Sequence, residues 1–248
     1  MKAGALLGAA GAAGVGYYHA QIPTSQLYGE TICRNREAGK RIALTYDDGP
    51  NPAYTPELLE LLARHRAHAT FFQIGKWVER EPALAREVKE AGHAVGNHTF
   101  THPTLALCST DRVKEELRRC HTASEAAGIE YSTVDGASLM RCPWGRRRPG
   151  TLRAVRAEGY VPVQWSVTGW DWAKRKSADN IADRCLKARE GDVILLHDGV
   201  HTEPRADRHK SVYATRQVLE RLGAEGYEFV TIPELVGAAS PGAPPARS

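Results

Sequence analysis

Residues 41–50 read RIALTYDDGP, an apolar run with strand character that ends in two aspartates, a glycine and a proline. The next run with strand character is Ala69–Ile74, and Pro56–His65 between the two carries four leucines at helical spacing. A strand, a helix and a second strand in this order are typical of α/β proteins. This stretch therefore predicts an α/β fold with parallel strands.

The same alternation of strand and helix continues along the chain. Further strands are predicted at His93–Asn97, Ser138–Arg141, Tyr160–Val167, Asp192–Leu196 and Glu228–Ile232. Further helices are predicted at Pro82–Ala91, Asp111–Ala127, Gly150–Glu158, Ala178–Arg189 and Ser211–Ala224. Because the strands number about seven and no linker interrupts them, the prediction is a single distorted (β/α) barrel of about seven parallel strands.

The two ends of the chain differ in composition from this central region. The stretch Ala3–Tyr18 is rich in Ala, Gly and Leu and resembles a signal-peptide core or a short anchor. It is shorter than the about 20 apolar residues of a membrane span, so a packing helix or a flexible tail is the alternative. We expect a lead-in over residues 1–39, a catalytic domain over 40–237 and a disordered tail over 238–248. The lead-in also favours an extracytoplasmic or membrane-anchored location, with membrane attachment through this segment.

Composition argues against several classes of protein. The chain has 248 residues, a net charge of +4 and five cysteines without a CxxC spacing, so neither a disulfide framework nor a thiolate zinc site is expected. A basic face interleaved with aromatic residues is not evident, which argues against a nucleic-acid partner. The run Arg146-Arg147-Arg148 is either a solvated loop or a point of attraction for an anionic polymer.

Titratable residues follow several of the predicted strands. Asp47-Asp48 follows the first strand, His98 and His102 follow the third, and His197-Asp198 follows the most apolar one. In α/β barrels, catalytic residues lie where strands end and loops begin, whereas a purely structural domain has no need of such groups there. The pattern therefore predicts one functional site at this end of the barrel.

Asp48, His98 and His102 are the candidate metal ligands. On a helical turn, histidines four residues apart share one face, and a carboxylate from a neighbouring strand would complete a set of three. Three protein ligands leave positions open for water and substrate, as in catalytic zinc sites. Iron(II) uses the same ligand types, so the residues alone leave the metal open, and a pair of surface imidazoles is the alternative interpretation.

Asp47 and His197 are the candidates for acid–base catalysis. Adjacent aspartates point in different directions, so Asp47 can approach a metal-activated water as a general base while its neighbour binds the metal. A simple Asp-Gly-Pro turn is the alternative. A carboxylate such as Asp171 would raise the pKa of His197, and a protonated imidazole can donate a proton to a leaving amine. A buried core histidine is the alternative here.

Five motifs, in the family's order, resemble the polysaccharide deacetylases of carbohydrate esterase family 4, the chitooligosaccharide deacetylase homology domain. They are Thr45–Pro50, His98–His102, Arg141–Gly145, Trp165–Trp172 and Leu195–Gly199. The resemblance covers residues 40–235, and three positions depart from the family pattern. Tyr46 stands where the family has Phe, Trp144 stands where it has Tyr or Phe, and Thr168 stands where the fourth motif has aspartate.

The resemblance implies a metal-dependent hydrolase that removes N-acetyl groups from an amino-sugar polymer or oligomer, chitin-like or peptidoglycan. It implies one divalent metal, with zinc expected and cobalt, nickel, manganese or iron as alternatives. The implied metal ligands are Asp48, His98 and His102, the implied general base is Asp47 and the implied general acid is His197.

The resemblance also implies supporting roles. Arg141 would orient the base, Asp171 would pair with the general acid, and the backbone N–H of Trp144 would help to hold the oxyanion. Trp172 and Leu195 would line the pocket for the acetyl methyl group. The alternatives are an O-acetyl esterase on a polysaccharide, and a carbohydrate-binding homologue without activity, although all six residues expected to bind metal or catalyse are present.

Overall fold

The computed structural model describes residues 14, 16 and 18–237. Nine strands lie within these residues. They are β1 Arg41–Asp47, β2 Ala69–Gln73, β3 Ala94–Asn97, β4 Thr133–Val134, β5 Ala137–Met140, β6 Tyr160–Pro162, β7 Val167–Thr168, β8 Val193–His197 and β9 Glu228–Phe229. Most connections between them contain helices, and one further helix follows β9. These are α1 Thr55–Arg64, α2 Gly75–Arg80, α3 Pro82–Glu90, α4 Thr110–Ala126, α5 Pro149–Ala157, α6 Ala178–Cys185, α7 His209–Ala224 and α8 Ile232–Leu235.

The strands form one sheet in the order β4-β5-β3-β2-β1-β8-β7, with β6 beside β5 and β9 beside β1. All of these pairs are parallel except β4 with β5. The predicted α/β class with a mainly parallel sheet is therefore confirmed. Across the described part of the chain, the pairing does not close into a ring, because β6 and β7 are joined by residues 163–166 rather than paired.

The gap between β6 and β7 has a cause in the sequence. The prediction of one strand over Tyr160–Val167 is wrong, because residues 163–166 separate two short strands, β6 and β7. There the backbone oxygens of Val163 and Gln164 accept hydrogen bonds from the fully buried guanidinium of Arg141, at 3.4 and 3.1 Å. A buried guanidinium must have its donors satisfied, so these two oxygens serve the arginine instead of a neighbouring strand.

Two elements were missed by the sequence prediction. Helix α2 precedes α3 directly and ends at Arg80, because Glu81, which stands before Pro82, has non-helical backbone angles (φ −129°, ψ 55°). The hairpin of β4 and β5 turns at Asp135-Gly136, where both residues have positive φ. An Asp-Gly pair between two β-rich segments is the sequence signal that would have predicted this hairpin.

Two predicted elements end early. The last strand was predicted over Glu228–Ile232, but it stops at Phe229 because Thr231 begins α8 with a capping box to Glu234. The helix predicted over Ala178–Arg189 ends at Cys185.

Side chains of β1 alternate between two hydrophobic layers, as the period of a strand requires. Ile42, Leu44 and Tyr46 pack in the larger cluster between the sheet and the helices, whereas Ala43 packs in a smaller cluster on the inner side of the sheet. Asp47 lies an even number of residues after Thr45 and Ala43, so its carboxylate also faces inward. The strand period therefore delivers this carboxylate to the inner end of the sheet.

The structure describes only part of the two end segments whose boundaries were predicted from the sequence. The tail predicted over 238–248 lies outside the described residues, as does most of the apolar stretch Ala3–Tyr18. None of the helices in the described part is long and apolar enough to cross a membrane. All five cysteines are free, and four of them are buried.

Candidate active site and metal centre

The register of β1 and β8 brings the two candidate catalytic groups side by side. Asp47, the last residue of β1, pairs with His197, the last residue of β8. Because parallel strands end at the same edge of a sheet, both residues and the loops that follow them lie at one edge. The loop after β3 joins them there, since the backbone N–H of His98 donates to Gln73 at the end of β2.

Asp48, His98 and His102 come together as a possible metal centre. Their ligand atoms lie within 4.8 Å of one another, and all three residues are buried. Oδ1 of Asp48 is 3.5 Å from Nε2 of His98 and 3.2 Å from Nε2 of His102. This oxygen is buried without a hydrogen-bond partner among the described residues. An unsatisfied carboxylate oxygen facing two imidazole nitrogens fits a divalent metal.

The tautomer of His98 supports this assignment. Its Nδ1 lies 2.9 Å from the backbone oxygen of Arg141, and a carbonyl oxygen can only accept, so Nδ1 carries the proton. In the neutral ring, Nε2 is then the nitrogen without a proton, and it is directed at Asp48, as a metal-binding imidazole requires.

The loop that carries both histidines is not the helical turn considered from the sequence. Thr99 and His102 both have positive φ, at 66° and 63°, so the segment is an irregular loop. Glu116 of α4, which is fully buried, supports this loop. Its carboxylate accepts hydrogen bonds from the backbone N–H groups of Phe100 and Thr101, at 2.9 and 2.8 Å, and from the Thr101 hydroxyl at 2.7 Å. The sequence reasoning missed Glu116, because a carboxylate on a helix face gives no sign of what it supports.

Asp47 is fixed by Arg141, as the resemblance implied. The carboxylate Oδ1 accepts a hydrogen bond from Nη1 of Arg141 at 2.7 Å, and Oδ2 lies 3.7 Å from Nε2 of His98. The arginine is held in turn by Thr45 at 2.8 Å and by the face of the Phe72 ring, 4.2 Å away. One carboxylate oxygen is thus anchored and the other faces the metal centre.

His197 is held by Asp171 through two contacts. Nδ1 lies 2.9 Å from Oδ1 of Asp171, and the backbone N–H of His197 donates to Oδ2 at 2.7 Å. The hydroxyl of Ser211 donates to the same Oδ2, also at 2.7 Å. With Nδ1 engaged, Nε2 is the ring nitrogen left for the cleft that His197 lines.

The histidines of the site have pKa values shifted in opposite directions. Burial lowers the pKa of His102 to about 3, against the attraction of Asp48, so this imidazole is neutral at physiological pH. Burial also tends to lower the pKa of His197, but the carboxylate of Asp171 outweighs it and raises the pKa above its usual value. Burial would raise the pKa of Asp48, yet the neighbouring histidines hold it well below its usual range.

These groups surround one cleft of about 460 Å³. Of the residues predicted for the site, Asp47, Asp48, His98, His102, Trp144, Trp172, Leu195 and His197 line it, while Arg141 and Asp171 stand behind the first and the last of these. The cleft also has lining residues that were not among the predicted site residues, although Gly145 and Trp165 belong to the matched motifs. These are Gln21, Gly145, Arg146, Trp165, Lys174, Val200, His201 and Arg208. His201 stacks on His102 with ring centroids 4.5 Å apart, and Trp144 meets its edge at 5.1 Å.

One wall of the cleft comes from the lead-in segment. Arg147 is 1% exposed and donates to three backbone oxygens within residues 22–25 and to that of Gly145. Arg146 donates to the side chain of Gln21 at 2.9 Å, and both line the cleft. The solvated-loop interpretation of the arginine run is therefore wrong for Arg147, which joins the lead-in to the loop that carries Trp144.

Two departures from the family pattern have a structural account. The hydroxyl of the buried Tyr46 is 2.9 Å from the Thr215 hydroxyl, so the extra oxygen has a partner in the core. The Thr168 hydroxyl accepts from the backbone N–H of Trp170 at 3.3 Å, within the turn that leads to Asp171. The Thr168 side chain therefore stabilises the turn that leads to Asp171.

Comparison with known proteins gives a consistent family. The family model for polysaccharide deacetylases matches residues 34–163. A peptidoglycan-N-acetylglucosamine deacetylase of Bacillus cereus is 36% identical over 203 residues, which cover 79% of this chain and 88% of the relative. A chitooligosaccharide deacetylase of Sinorhizobium fredii is 35% identical over 84% of this chain and 97% of the relative.

A similar solved structure is that of a family 4 carbohydrate esterase pseudoenzyme from Bacillus anthracis. It has a TM-score of 0.72 and 27% identity, and the match covers 84% of this chain and 69% of that chain. Since one neighbour of the same fold is described as a pseudoenzyme, the fold alone does not establish activity. The side chains in the cleft carry that argument.

Proposed function

This chain belongs to the polysaccharide deacetylase family, as the five motifs indicated, and we propose that it removes N-acetyl groups from an amino-sugar polymer with one bound zinc ion. The observation that carries the proposal is the arrangement around one cleft. The Asp48–His98–His102 centre shares this cleft with an anchored carboxylate, Asp47, and an imidazole with a raised pKa, His197. A base and an acid beside a metal centre are what hydrolysis of an amide requires.

The proposed metal ligands are Asp48, His98 and His102. Two imidazoles and one carboxylate with open positions suit zinc, and cobalt, nickel, manganese or iron are alternatives with the same ligands. When bound, such a metal polarises the acetyl carbonyl and lowers the pKa of water to about 7.

The chain's own groups perform the proton transfers. Asp47 accepts a proton from the attacking water with its free oxygen, while Arg141 keeps the carboxylate in place. The backbone N–H of Trp144 is proposed to donate to the oxyanion, a contact worth about 3 kcal/mol in comparable sites. His197 then gives the proton on Nε2 to the leaving sugar nitrogen, with Asp171 holding the ring. Trp172 and Leu195 are proposed to enclose the acetyl methyl group.

The substrates named for the two relatives above are peptidoglycan and chitooligosaccharides. We propose a polymer of this class for the present chain, and an extracytoplasmic or membrane-anchored location because of the apolar stretch Ala3–Tyr18.

Acetate release from chitooligosaccharides by the full chain, stripped of metal and refilled with zinc, tests this function. We expect zinc-dependent release, and a fall of at least about a hundredfold in Asp47→Asn, because that variant keeps the shape but loses the base. Asp111→Asn, an exposed residue of α4, is the matched control and should behave like wild type.

Two other outcomes would change the conclusion. Release from O-acetylated xylan but from no N-acetylated glycan would favour the esterase alternative. Zinc bound with no acetate released from chitooligosaccharide, peptidoglycan or O-acetylated xylan would favour an inactive carbohydrate-binding homologue.

A further inference from the structure

Two cations, Lys174 and Arg208, lie where the catalytic cleft meets a side pocket of about 260 Å³. The two spaces share these cations and Trp172 among their lining residues. Arg208 is only 8% exposed, and its Nε donates to the backbone oxygen of Gly199 at 2.7 Å. Neither its two Nη atoms nor Nζ of Lys174 has a hydrogen-bond or ion-pair partner within the described part of the chain.

Other charged groups of the side pocket are already engaged. Asp171 is occupied by its three hydrogen bonds from His197 and Ser211, and Asp207 accepts from His209 at 2.7 Å. The remaining lysine, Lys210, donates to a backbone oxygen at 2.9 Å. The charge of Arg208 helps to lower the pKa of Asp171, but neither carboxylate makes a hydrogen bond or ion pair with Lys174 or Arg208, so the free donors of both cations remain available to a ligand.

A guanidinium that lines a cleft with its Nη donors free can bind an anion there. Its two Nη groups form a planar pair of donors, the geometry that matches a carboxylate with two parallel hydrogen bonds. A lysine beside it adds a mobile ammonium group without a fixed direction. Arg208 therefore supplies orientation and Lys174 supplies charge.

From these contacts we infer that Lys174 and Arg208 form a subsite for a carboxylate of the substrate. The inference rests on the proposed function and narrows it, from amino-sugar polymers in general to acidic ones. The glycan strand of peptidoglycan carries such a carboxylate, on a lactyl ether or on an attached peptide, whereas chitin is neutral.

The position of the subsite fits this substrate. Trp172 borders both spaces, and its ring centroid is 5.3 Å from that of His197, the proposed donor to the leaving nitrogen. A group held in the side pocket therefore lies beside the nitrogen that is released. A carboxylate on the reacting sugar or on its neighbour is within reach of such a position.

A pair of matched substrates tests the subsite with the zinc-loaded full chain. The first is an oligomer of N-acetylglucosamine and N-acetylmuramic acid with free lactyl carboxylates, and the second is the same oligomer with these groups converted to methyl amides. We expect kcat/KM to be about tenfold higher for the acid, mainly through KM, because the charge contributes to binding rather than to chemistry. Added salt should reduce this ratio.

Lys174→Ala should bring the ratio of acid to amide close to one. Arg175→Ala removes the same charge from the neighbouring exposed residue, which lines neither space, and should keep the wild-type ratio. Arg208→Lys keeps a charge but loses the planar pair of donors, so it should lower the ratio while leaving a preference for the acid. A third substrate, the strand that bears peptides, identifies the source of the carboxylate. If this strand is preferred over the methyl amide but the lactyl acid is not, the carboxylate belongs to the peptide.

The possible results separate the two claims. Equal rates on all three glycans in wild type, or an unchanged ratio in Lys174→Ala, would overturn the carboxylate subsite while acetate release still supports the deacetylase. If neither these oligomers nor chitooligosaccharides release acetate, the proposed function fails, and the subsite fails with it.

Discussion

Two clusters of imidazole and carboxylate groups meet in the cleft, and they differ in the state of their histidines. In the metal centre, burial lowers the pKa of His102 to about 3, and the proton of His98 sits on the nitrogen turned away from the centre. In the acid pair, Asp171 raises the pKa of His197. The first cluster presents free lone pairs, and the second presents a proton.

The partners of each carboxylate explain the difference. Oδ1 of Asp48 faces two imidazoles, at 3.5 and 3.2 Å, so His102 shares its carboxylate with His98. Oδ1 of Asp171 lies 2.9 Å from a single imidazole, that of His197. Its Oδ2 accepts hydrogen bonds from the His197 backbone N–H and from the Ser211 hydroxyl, so Oδ1 is left for the ring alone. The two clusters thus use the same residue types in different ratios. Two imidazoles share one carboxylate in the proposed metal centre, whereas the proposed general acid has a carboxylate to itself.

The largest expected effect comes from breaking the metal centre. His102→Ala removes one of three ligands, so zinc should be lost on dialysis and acetate release should fall by about a thousandfold, since a metal supplies several kcal/mol of stabilisation. Metal content after dialysis and initial rates measure both effects. His65→Ala, at an exposed position after α1, is the control and should keep zinc and activity. A variant at position 102 that retains both would contradict the ligand assignment.

Breaking the acid pair should have the next largest effect. In Asp171→Asn, the single remaining carbonyl oxygen must serve the His197 backbone and Ser211, which turns the NH₂ group toward Nδ1 and excludes a proton there. The pKa of His197 should fall, and kcat/KM should drop by about a hundredfold. Zinc content should stay unchanged, which distinguishes this cluster from the other.

The pH profile of kcat/KM shows in which direction the pKa of His197 changes in Asp171→Asn. A general acid works only while protonated, so activity is lost as the pH rises through the pKa of His197. Because Asp171 raises this pKa, its removal should move the alkaline limb of the kcat/KM profile to lower pH. Asp183→Asn, exposed on the nearby α6, should leave the limb in place. An alkaline limb that does not move would argue against His197 as the acid.

What the sequence could predict follows from how local each feature is. The alternation along β1 and the residues just after strands depend on neighbours in sequence, so Asp47, Asp48, His98, His102 and His197 could be proposed without a structure. The break between β6 and β7 could not, because it depends on Arg141, which needs carbonyl oxygens from residues more than twenty positions away.

The residues that surround and support the site could not be predicted from the sequence for the same reason. Arg147 reads as part of a basic run, and only the fold shows that its guanidinium binds backbone oxygens of residues 22–25. Lys174 and Arg208 are far apart in sequence, and their meeting point depends on how α6 and α7, which follow them, pack together. Sequence motifs identify groups that act on a substrate, but the groups that hold them depend on tertiary contacts.

The smallest of the three effects should come from the support of the metal centre rather than from its ligands. Glu116 accepts hydrogen bonds from two backbone N–H groups and one hydroxyl of the loop between His98 and His102, and from Arg112 at 2.5 Å. Glu116→Gln keeps the size but loses an acceptor, so the loop should loosen. Zinc affinity should fall by about 10-fold, at the lower end of what such supporting residues contribute.

The neighbouring residue provides the control for that measurement. Glu115 is half exposed and pairs with the same Arg112, at 3.0 Å, but makes no contact with the histidine loop. Zinc affinity measured by competition with a chelator should therefore be unchanged in Glu115→Gln, while Glu116→Gln is weaker at a temperature where both are folded. Equal affinities would mean that the loop holds its shape without Glu116. A loss of affinity without a change in the pH limb would show that the two clusters are supported independently, although they share one cleft.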